Sequence, residues 1–228
     1  MKAGVRPPRL YGIADGDVLG LPAWLAAGSA SRTDPVSGAV RAMAEAGVGW
    51  IQVRLKSCSD AVLYDIVERS VRALEGSGAL LWVNDRADVA ALFPGTAVHV
   101  GQDDLPPDAV RQVLGEQVLG EGPLVGLSCH DLEQILRADA NPNVDVVAFG
   151  PIYATTSKQN PDPAVGLDGL LKARAATRKP LVAIGGIDLS NARRVLDAGA
   201  DSVVVLGALC RGDVAENSRC LTAALEDP

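Results

Sequence analysis

Short apolar runs alternate with longer amphipathic segments from residue 10 to the end of the chain. The runs are four to six residues long and rich in Val, Ile, Leu and Ala, which is typical of buried strands. The first long helix is predicted to start at Asp34-Pro35, where a capping residue precedes a proline. The predicted strands are 10–14, 50–54, 79–83, 97–100, 124–128, 144–149, 180–184 and 201–206. The predicted helices are 35–46, 60–75, 86–92, 106–114, 131–138, 167–175, 191–198 and 215–226.

This alternation predicts an α/β protein with parallel strands, because a helix between two strands returns the chain to the same sheet edge. Eight strand–helix units in 228 residues predict a (β/α)8 TIM barrel. An open doubly wound sheet would usually carry G-x-G-x-x-G after its first strand, and residues 12–20 lack that motif. We therefore expect one TIM-barrel domain over residues 1–228, with an inserted loop or short helix at 15–33.

Composition narrows the cellular setting. The chain is 48% hydrophobic but only 4% aromatic, so the core must be mostly aliphatic. A net charge of −7 argues against a nucleic-acid surface, and no apolar run is long enough to span a bilayer. The start of the chain lacks the apolar core of a signal peptide. Cys58, Cys129, Cys210 and Cys220 form no C-x-x-C pair, which favours reduced thiols and a cytoplasmic protein.

The ends of the second, third and fourth predicted strands carry charge. Gln52, Arg54 and Lys56 alternate and should project to one side, where two cations would repel each other unless an anion lies between them. Asp85 and Asp104 follow the next two strands, and carboxylates among cations indicate a hard divalent cation such as Mg²⁺. The bland alternatives are a solvated strand end for the cations and helix capping for the two carboxylates.

Other strand ends carry hydroxyl groups or glycines. The loop Gly150-Pro-Ile-Tyr-Ala-Thr-Thr-Ser-Lys158 offers hydroxyls and one ammonium to an anion, although a simple turn would also explain it. The sequences Gly185-Gly186 and Leu206-Gly207 let backbone amides approach a phosphate, which barrels commonly bind after strands seven and eight. The chain is thus predicted to have one diphosphate site and one monophosphate site.

Two residues after the fifth predicted strand, Cys129 and His130, could carry chemistry. His130 is either a proton carrier or a structural histidine beside a helix start, and we interpret Cys129 as packing because no base is evident beside it. His99 alternates within a strand and is expected in the core.

Several of these motifs resemble one family, thiamine-phosphate synthase. They are Gln52-Val-Arg-Leu-Lys56, Val83-Asn-Asp-Arg86, His99-Val-Gly-Gln-Asp-Asp104, Gly150-Pro-Ile-Tyr153, Thr155–Lys158 and Ile184-Gly-Gly-Ile187. The resemblance covers the barrel from its first to its last strand. It implies Mg²⁺-dependent transfer of a hydroxymethylpyrimidine from its diphosphate to the ring nitrogen of a thiazole phosphate. The products would be thiamine phosphate and pyrophosphate, formed after the pyrophosphate has departed.

The resemblance also implies roles for individual residues. It implies catalytic roles for Arg54, Lys56, Ser128 and Lys158. It implies Mg²⁺ ligation by Asp85 and Asp104. It implies substrate contacts by Gln52, Val53, Leu55, Asn84, Thr155, Thr156, Ser157, Gly186, Leu206 and Gly207. The partners would be two small substrates, a pyrimidine diphosphate and a thiazole phosphate, with a homo-oligomer possible.

The chain departs from the family pattern at three positions. Ala154 stands where proline is common, Ser157 where threonine is common, and Gly207 where serine is frequent. A thiazole tautomerase-type isomerase on the same barrel stays open because of His130, although it would not need the two carboxylates. A non-catalytic barrel that binds a phosphorylated metabolite also stays open, as does a generic phosphosugar isomerase.

Overall fold

The computed structural model describes residues 5–28, 33–115, 122–155 and 162–226. Eight parallel strands form a closed barrel in sequence order, and β1 closes it by pairing Leu10 with Val203 of β8. The strands are β1 Leu10–Asp15, β2 Trp50–Arg54, β3 Leu80–Asn84, β4 Ala97–Val100, β5 Val125–Cys129, β6 Val146–Phe149, β7 Leu181–Ile184 and β8 Ser202–Val205. The predicted (β/α)8 barrel is confirmed. The prediction that residues 1–228 form one domain extends past the described residues and stays a prediction.

The helices surround the barrel. They are α1 Leu21–Ala26, α2 Pro35–Glu45, α3 Asp60–Ala73, α4 Ala87–Ala90, α5 Pro107–Leu114, α6 Leu132–Ala140, α7 Gly166–Ala176, α8 Ala192–Asp197, α9 Gly207–Cys210 and α10 Val214–Leu225. Asp34 caps α2 as predicted, since its carboxylate accepts from the amides of Val36 and Ser37. Within the described chain, no helix is long and apolar enough to cross a membrane.

Two helices depart from the prediction, whereas the region 15–33 contains the short helix α1, one of the two forms expected there. Residues 29–32 of that region lie outside the described chain. The helix predicted over 86–92 covers only Ala87–Ala90, since the chain then turns before Gly95. The four-residue helix α9 was not predicted, because one helical turn is too short to show an apolar period.

Strand alternation divides each strand between two packing layers. In β2, Ile51 and Val53 belong to the large aliphatic core that includes buried residues of the helices, whereas Trp50 packs in a second cluster with Tyr11 and Trp82. The rings of Trp50 and Trp82 lie 4.9 Å apart, and neither is more than 7% exposed. The aliphatic core was therefore predicted correctly, but the barrel interior also holds a cluster of three aromatic side chains among aliphatic ones.

The N-terminal end of the barrel is held by a buried ion pair. Asp145 precedes β6, pairs with Arg111 of α5, and also accepts from the amide of Val125 at 2.8 Å. Arg111 donates a further hydrogen bond to the carbonyl of Pro123 at 2.5 Å. These contacts tie a helix to the starts of two strands.

The same arrangement recurs two strand–helix repeats further along the chain. Asp201 precedes β8, accepts from Arg174 of α7 at 2.9 Å, and accepts from the amide of Leu181 at 2.7 Å. Both carboxylates therefore accept from a guanidinium and from a strand amide, so each is paired within the protein.

Candidate active site

The C-terminal ends of the strands open into one cavity of about 1110 Å³. Most predicted site residues line it, although they come from seven different strand ends. The lining includes Gln52, Arg54, Lys56, Asn84, Asp85, Asp104, Ser128, Thr155, Gly186, Leu206 and Gly207. Thr156, Ser157 and Lys158 lie outside the described residues. Neither Val53 nor Leu55 lines the cavity, because strand alternation turns their side chains toward the aliphatic core.

Two carboxylates and an ammonium group meet at one side of the cavity. Lys56 Nζ lies 2.5 Å from Asp85 Oδ2, and the Asp85 side chain is also hydrogen-bonded to Asp104. The other contact of Asp104 is with the amide of Gly101, which donates to Oδ2 at 2.7 Å. Asp85 has a φ of 63°, in the left-handed region that Asp and Asn tolerate better than most residues. This backbone conformation belongs to a turn between β3 and α4.

Helix capping does not explain these carboxylates. The residue at the N-cap of α4 is Arg86 and that of α5 is Pro106, and neither helix has a side-chain cap. The carboxylate oxygens contact Lys56, Gly101 and each other instead. The capping alternative is therefore wrong for both Asp85 and Asp104.

The electrostatics of this cluster favour an added cation. Burial raises the pKa of Asp85, and the neighbouring Asp104 raises it further despite the opposing effect of Lys56. Burial also opposes ionisation of Asp104, but the Gly101 amide and the contact with Asp85 outweigh it and lower the pKa of Asp104. Two carboxylates in contact repel each other once both are ionised, and a bound divalent cation would remove that repulsion. The donor set therefore fits Mg²⁺, which commonly takes one or two protein carboxylates.

Protein ligands alone would leave such an ion incompletely coordinated. Across residues 5–28, 33–115, 122–155 and 162–226, no group of three or more His, Cys, Asp or Glu side chains converges as a metal site. Water and substrate oxygens would have to complete the shell, as is usual for Mg²⁺ with phosphate ligands.

Arg54 has a partner that the sequence did not reveal. It forms an ion pair with Asp15, the last residue of β1, whose carboxylate is 3% exposed. Asp15 Oδ1 also accepts from the amide of Val18 at 3.0 Å. The signal was present, since Tyr11, Ile13 and Asp15 alternate on one side of β1 and all line the cavity. Asp15 thus occupies the same position after the first predicted strand as Asp85 and Asp104 do after the third and fourth.

The deeper part of the cavity carries two polar pairs. Gln52 Nε2 donates to Tyr11 Oη at 2.8 Å, and His99 Nε2 lies 2.9 Å from Ser128 Oγ. His99 is 7% exposed, so it is buried as predicted, yet it also lines the cavity. Gly126 makes room for it, because a Cβ on this glycine would lie 2.4 Å from His99 Nδ1. Gly126 would therefore not tolerate a larger residue without displacing the histidine.

The opposite wall is backbone-rich. Gly186 has a φ of 63°, and a Cβ there would lie 2.6 Å from the carbonyl oxygen of Ala154. Gly150 is closer still, because its Cβ would meet the carbonyl oxygen of Ile184 at 2.0 Å. Glycine is thus required where the loops after β6 and β7 cross, and this wall offers a ligand backbone groups with little side-chain bulk.

Cys129 and His130 both line the cavity but have different surroundings. Burial raises the pKa of Cys129 to about 12, so its thiol stays protonated and is a poor nucleophile. His130 Nδ1 lies 2.8 Å from the carbonyl oxygen of Gly150 and 3.4 Å from Asp162 Oδ2. His130 therefore links the loop after β5 to the segment between β6 and α7 at the cavity edge.

Comparison with known proteins places this cavity in a family. The family model described as thiamine monophosphate synthase matches residues 25–209. The thiamine-phosphate synthase of Koribacter versatilis is 44% identical over 209 residues, covering 92% of each chain. That of Acidothermus cellulolyticus is 39% identical over 215 residues, covering 92% of this chain and 90% of the relative.

The chain belongs to the thiamine-phosphate synthase family.

A solved structure agrees with this membership. The thiamine phosphate pyrophosphorylase from Pyrococcus furiosus has a TM-score of 0.79 and 27% identity, covering 96% of this chain and 95% of that one. The resemblance drawn from the motifs is therefore confirmed, as is the prediction of a transferase of this class.

Proposed function

We propose that this family member transfers a pyrimidinylmethyl group from its diphosphate to the ring nitrogen of a thiazole phosphate, in the cavity at the C-terminal strand ends. The bond from the methylene carbon on the pyrimidine ring to the diphosphate oxygen breaks, pyrophosphate leaves, and a bond from that carbon to the thiazole nitrogen forms. The observation that carries this proposal is the Lys56–Asp85–Asp104 cluster, which faces a glycine-rich wall across one cavity. Two anionic substrates call for two anion sites, and the cluster and the glycine-rich wall are the two that we propose.

The diphosphate would lie beside Arg54, Lys56 and Asn84. Charge builds up on the departing diphosphate, so donors already in place for that charge lower the barrier more than a general base would. Arg54 is oriented by Asp15, and Lys56 by Asp85. Lys158 is proposed to add a further cation, on the sequence resemblance alone. A dissociative reaction, in which pyrophosphate departs before the new bond forms, is consistent with this environment.

Mg²⁺ would be held by Asp85 and Asp104. When bound, it would neutralise charge on the diphosphate oxygens and hold them in position. The protein side chains have a separate task. Lys56 balances the two carboxylates when no metal is bound, and the Gly101 amide fixes the orientation of Asp104.

The thiazole phosphate would lie against the opposite wall. Backbone amides of Gly186, Leu206 and Gly207 would donate to its phosphate, since these residues line the cavity and carry little or no competing charge. Thr155 lines the same wall, and Thr156 and Ser157 are proposed beside it from the resemblance. Ser128 would contact the pyrimidine diphosphate from the deeper side, where His99 orients its hydroxyl.

The cellular setting is proposed as cytoplasmic. All four cysteines are free thiols, which supports a reducing compartment. A homo-oligomer is also proposed, and light scattering of the purified protein would test it.

Pyrophosphate release tests the function directly. The purified protein is supplied with the pyrimidine diphosphate and the thiazole phosphate, with and without Mg²⁺, and each substrate is then omitted in turn. We expect release that needs the pyrimidine diphosphate and the metal, with thiamine phosphate formed only when both substrates are present. Isomerisation of a thiazole without metal would favour the tautomerase-type alternative instead. Binding of thiazole phosphate without any turnover would favour the non-catalytic barrel.

A further inference from the structure

We propose that Asn191 is a positioning residue that keeps the amide of Ile187 facing the phosphate of the thiazole substrate. This inference rests on the proposed function, because it assumes that this phosphate lies against the glycine-rich wall. It adds one side chain and one backbone donor to the site, and the motif resemblance implies no role for either. The juxtaposition behind it is a side-chain amide bound to the carbonyl oxygen of Gly186, outside the cavity.

The first two peptide groups after β7 are held by backbone hydrogen bonds. The carbonyl oxygen of Ile184 accepts from the amide of Ile152 at 2.8 Å, and that of Gly185 accepts from the amide of Tyr153 at 3.0 Å. Ile152 and Tyr153 do not line the cavity, so both carbonyls point away from it. Every residue except proline has a backbone amide, so these two bonds need no particular side chain.

The third peptide group, between Gly186 and Ile187, is held by a side chain. Asn191 Nδ2 donates to the carbonyl oxygen of Gly186 at 3.0 Å, and Asn191 Oδ1 accepts from the amide of Asp188 at 3.0 Å. A carbonyl oxygen only accepts and a backbone amide only donates, so one orientation of the asparagine amide makes both bonds. Asn191 does not line the cavity, so the carbonyl that it binds also points away from the cavity.

A peptide group whose carbonyl points outward presents its N–H inward. The three peptide bonds of this loop are trans, with each N–H opposite its C=O. Their N–H groups belong to Gly185, Gly186 and Ile187, which all line the cavity. In the part of the chain that the structure describes, these three amides donate to no acceptor. Neighbouring backbone amides without acceptors form a suitable site for an anion.

The third peptide group most needs a fixed partner. Gly186 has a φ of 63° and no side chain, and glycine readily adopts the backbone angles on both sides of a peptide flip. A flip of the Gly186–Ile187 peptide would place a carbonyl oxygen against the phosphate in place of an N–H. A repulsive contact would then replace a charge-assisted hydrogen bond. Asn191 opposes the flip, because its Nδ2 would lose its acceptor.

Two substitutions at Asn191 test this role. Asn191→Ala removes the donor to Gly186 without adding charge, but it also removes the acceptor of the Asp188 amide. Asn191→Asp removes the same donor and keeps an oxygen for Asp188, but it adds a negative charge. The donor to Gly186 is the one loss that the two variants share, so an effect seen in both is due to that donor.

Asn141 provides the matched controls at the other end of the barrel. Its Nδ2 donates to Asp108 Oδ1 at 3.1 Å, and its Oδ1 accepts from the amide of Asn143 at 2.9 Å. It does not line the cavity. Asn141→Ala and Asn141→Asp therefore remove the same kinds of hydrogen bond far from the proposed phosphate site.

Binding and turnover are measured separately. Calorimetry gives the dissociation constants of each protein for the thiazole phosphate and for the thiazole alcohol that lacks the phosphate. Steady-state kinetics give kcat and KM for the thiazole phosphate and for the pyrimidine diphosphate. The decisive readout is the ratio of the two dissociation constants, because a general distortion of the wall would weaken both thiazole ligands together.

We expect both Asn191 variants to bind the thiazole phosphate at least about 10-fold more weakly, as for the loss of one hydrogen bond to a charged group. Their affinity for the alcohol should stay as in wild type. The KM for the thiazole phosphate should rise with kcat unchanged, since the phosphate takes no part in the new bond and is held equally in the ground state and the transition state. Both Asn141 variants should behave like wild type.

Two results would overturn the inference. One is an unchanged ratio in Asn191→Ala, even if stability or overall activity fell. The other is a loss of phosphate affinity in Asn191→Asp alone, because the added charge and not the missing donor would then be the cause. If Asn191→Ala did not fold, Leu189→Asp would serve for comparison, since Leu189 is 53% exposed and the change adds the same charge nearby. Equal losses in Leu189→Asp and Asn191→Asp would again overturn the inference.

Failure of the proposed function would look different. If wild type bound the thiazole phosphate more tightly than the alcohol but formed no thiamine phosphate, the proposed function would fail. The role of Asn191 would then stand or fall on the binding ratios alone. If wild type bound the phosphate and the alcohol equally well, the inference would be overturned whatever the turnover.

Discussion

At the N-terminal end of the barrel Asp145 meets Arg111, and at the C-terminal end Asp85 meets Lys56, yet the surroundings of the two pairs differ. The Asp145 carboxylate is 5% exposed and also accepts a hydrogen bond from the amide of Val125, so its charge is compensated within the protein. The Lys56 and Asp85 side chains are 46% and 20% exposed, and a second carboxylate from Asp104 touches the first. The Asp145–Arg111 pair needs no further partner. The Lys56–Asp85 pair includes a second carboxylate, and a bound cation would remove the repulsion between the two acids.

This difference is a better guide to function than residue type. Both ends of the barrel present carboxylates and cations at strand boundaries, and a count of charged residues would not distinguish them. The distinguishing features are the contact between two acids and the access of both to a large cavity. The Arg54–Asp15 pair combines features of both cases, because it lines the cavity but is more buried than the ion pairs at the other end.

Asp85→Asn should separate the two ends most sharply. Asparagine tolerates the φ of 63° at this position, so the backbone is kept while the charge is lost. We expect kcat/KM to fall by at least about 100-fold, since metal and charge stabilisation supply several kcal/mol of barrier reduction. Stability should change by less than about 1 kcal/mol. Steady-state kinetics over a Mg²⁺ titration and urea unfolding measure the two effects.

Asp88→Asn is the control for this change. Asp88 pairs with Arg86 at the surface, is 60% exposed, and does not line the cavity. It should leave both activity and stability nearly unchanged. A normal rate for Asp85→Asn at limiting Mg²⁺ would remove the metal assignment.

Arg111→Ala should have the opposite profile. It leaves the Asp145 carboxylate buried without its guanidinium partner. Such a loss lowers the free energy of unfolding by about 3–5 kcal/mol for fully buried pairs, and we expect about 2–4 kcal/mol here because Arg111 is partly exposed. The folded fraction should retain its kcat and KM, because Arg111 is at the far end of the barrel. Arg137→Ala, which removes an exposed helix pair with Glu133, should cost less than about 0.5 kcal/mol. Equal losses of unfolding free energy in the two variants would show that the Asp145–Arg111 pair stabilises the fold no more than an exposed pair does.

Arg54→Lys tests the intermediate pair. Lysine keeps the positive charge but lacks the planar fork of arginine, so it cannot hold Asp15 and a diphosphate in the same way. We expect the KM for the pyrimidine diphosphate to rise about 10-fold, with a loss of about 1 kcal/mol in stability. Arg72→Lys, in an exposed pair with Glu68, provides the control. A stability loss without any kinetic change would show that Arg54 stabilises the fold and does not bind the diphosphate.

The smallest expected effect concerns acid stability near the N-terminal end. The Thr177 hydroxyl donates to Asp139 at 2.5 Å, and this bond, with help from the Arg178 amide, lowers the pKa of Asp139. A depressed pKa stabilises the fold above the unfolded value of about 3.9, and this stabilisation is lost as the pH falls through the folded value. Because solvent screens this carboxylate, the contribution should be under about 1 kcal/mol.

Asp139→Asn would reveal this contribution as a difference between two pH values. Urea unfolding at pH 7 should show the variant slightly less stable than wild type, and the gap should close near pH 2 to 3. A gap that stays constant across this range would mean that the hydrogen bond, and not the charge, carries the effect.

The sequence by itself determined the architecture of this protein and most of its site. Strand and helix periods are local properties, so apolar runs such as Ala97–Val100 and capped starts such as Asp34-Pro35 could be read without coordinates. Because parallel strands bring their ends to one face, Arg54, Lys56, Asp85 and Asp104 could be grouped in advance. Family motifs then supplied the reaction.

Only the tertiary structure decided the pairings inside the barrel. Tyr11 and Gln52 are 41 positions apart, and Arg54 and Asp15 are 39 apart, so no local period links them. They meet because strand register and barrel closure bring separate inner faces together. Alternation alone places Gln52 and Val53 on opposite faces of the strand, but only the closed barrel shows that the face with Gln52 lines the cavity and the face with Val53 packs in the core.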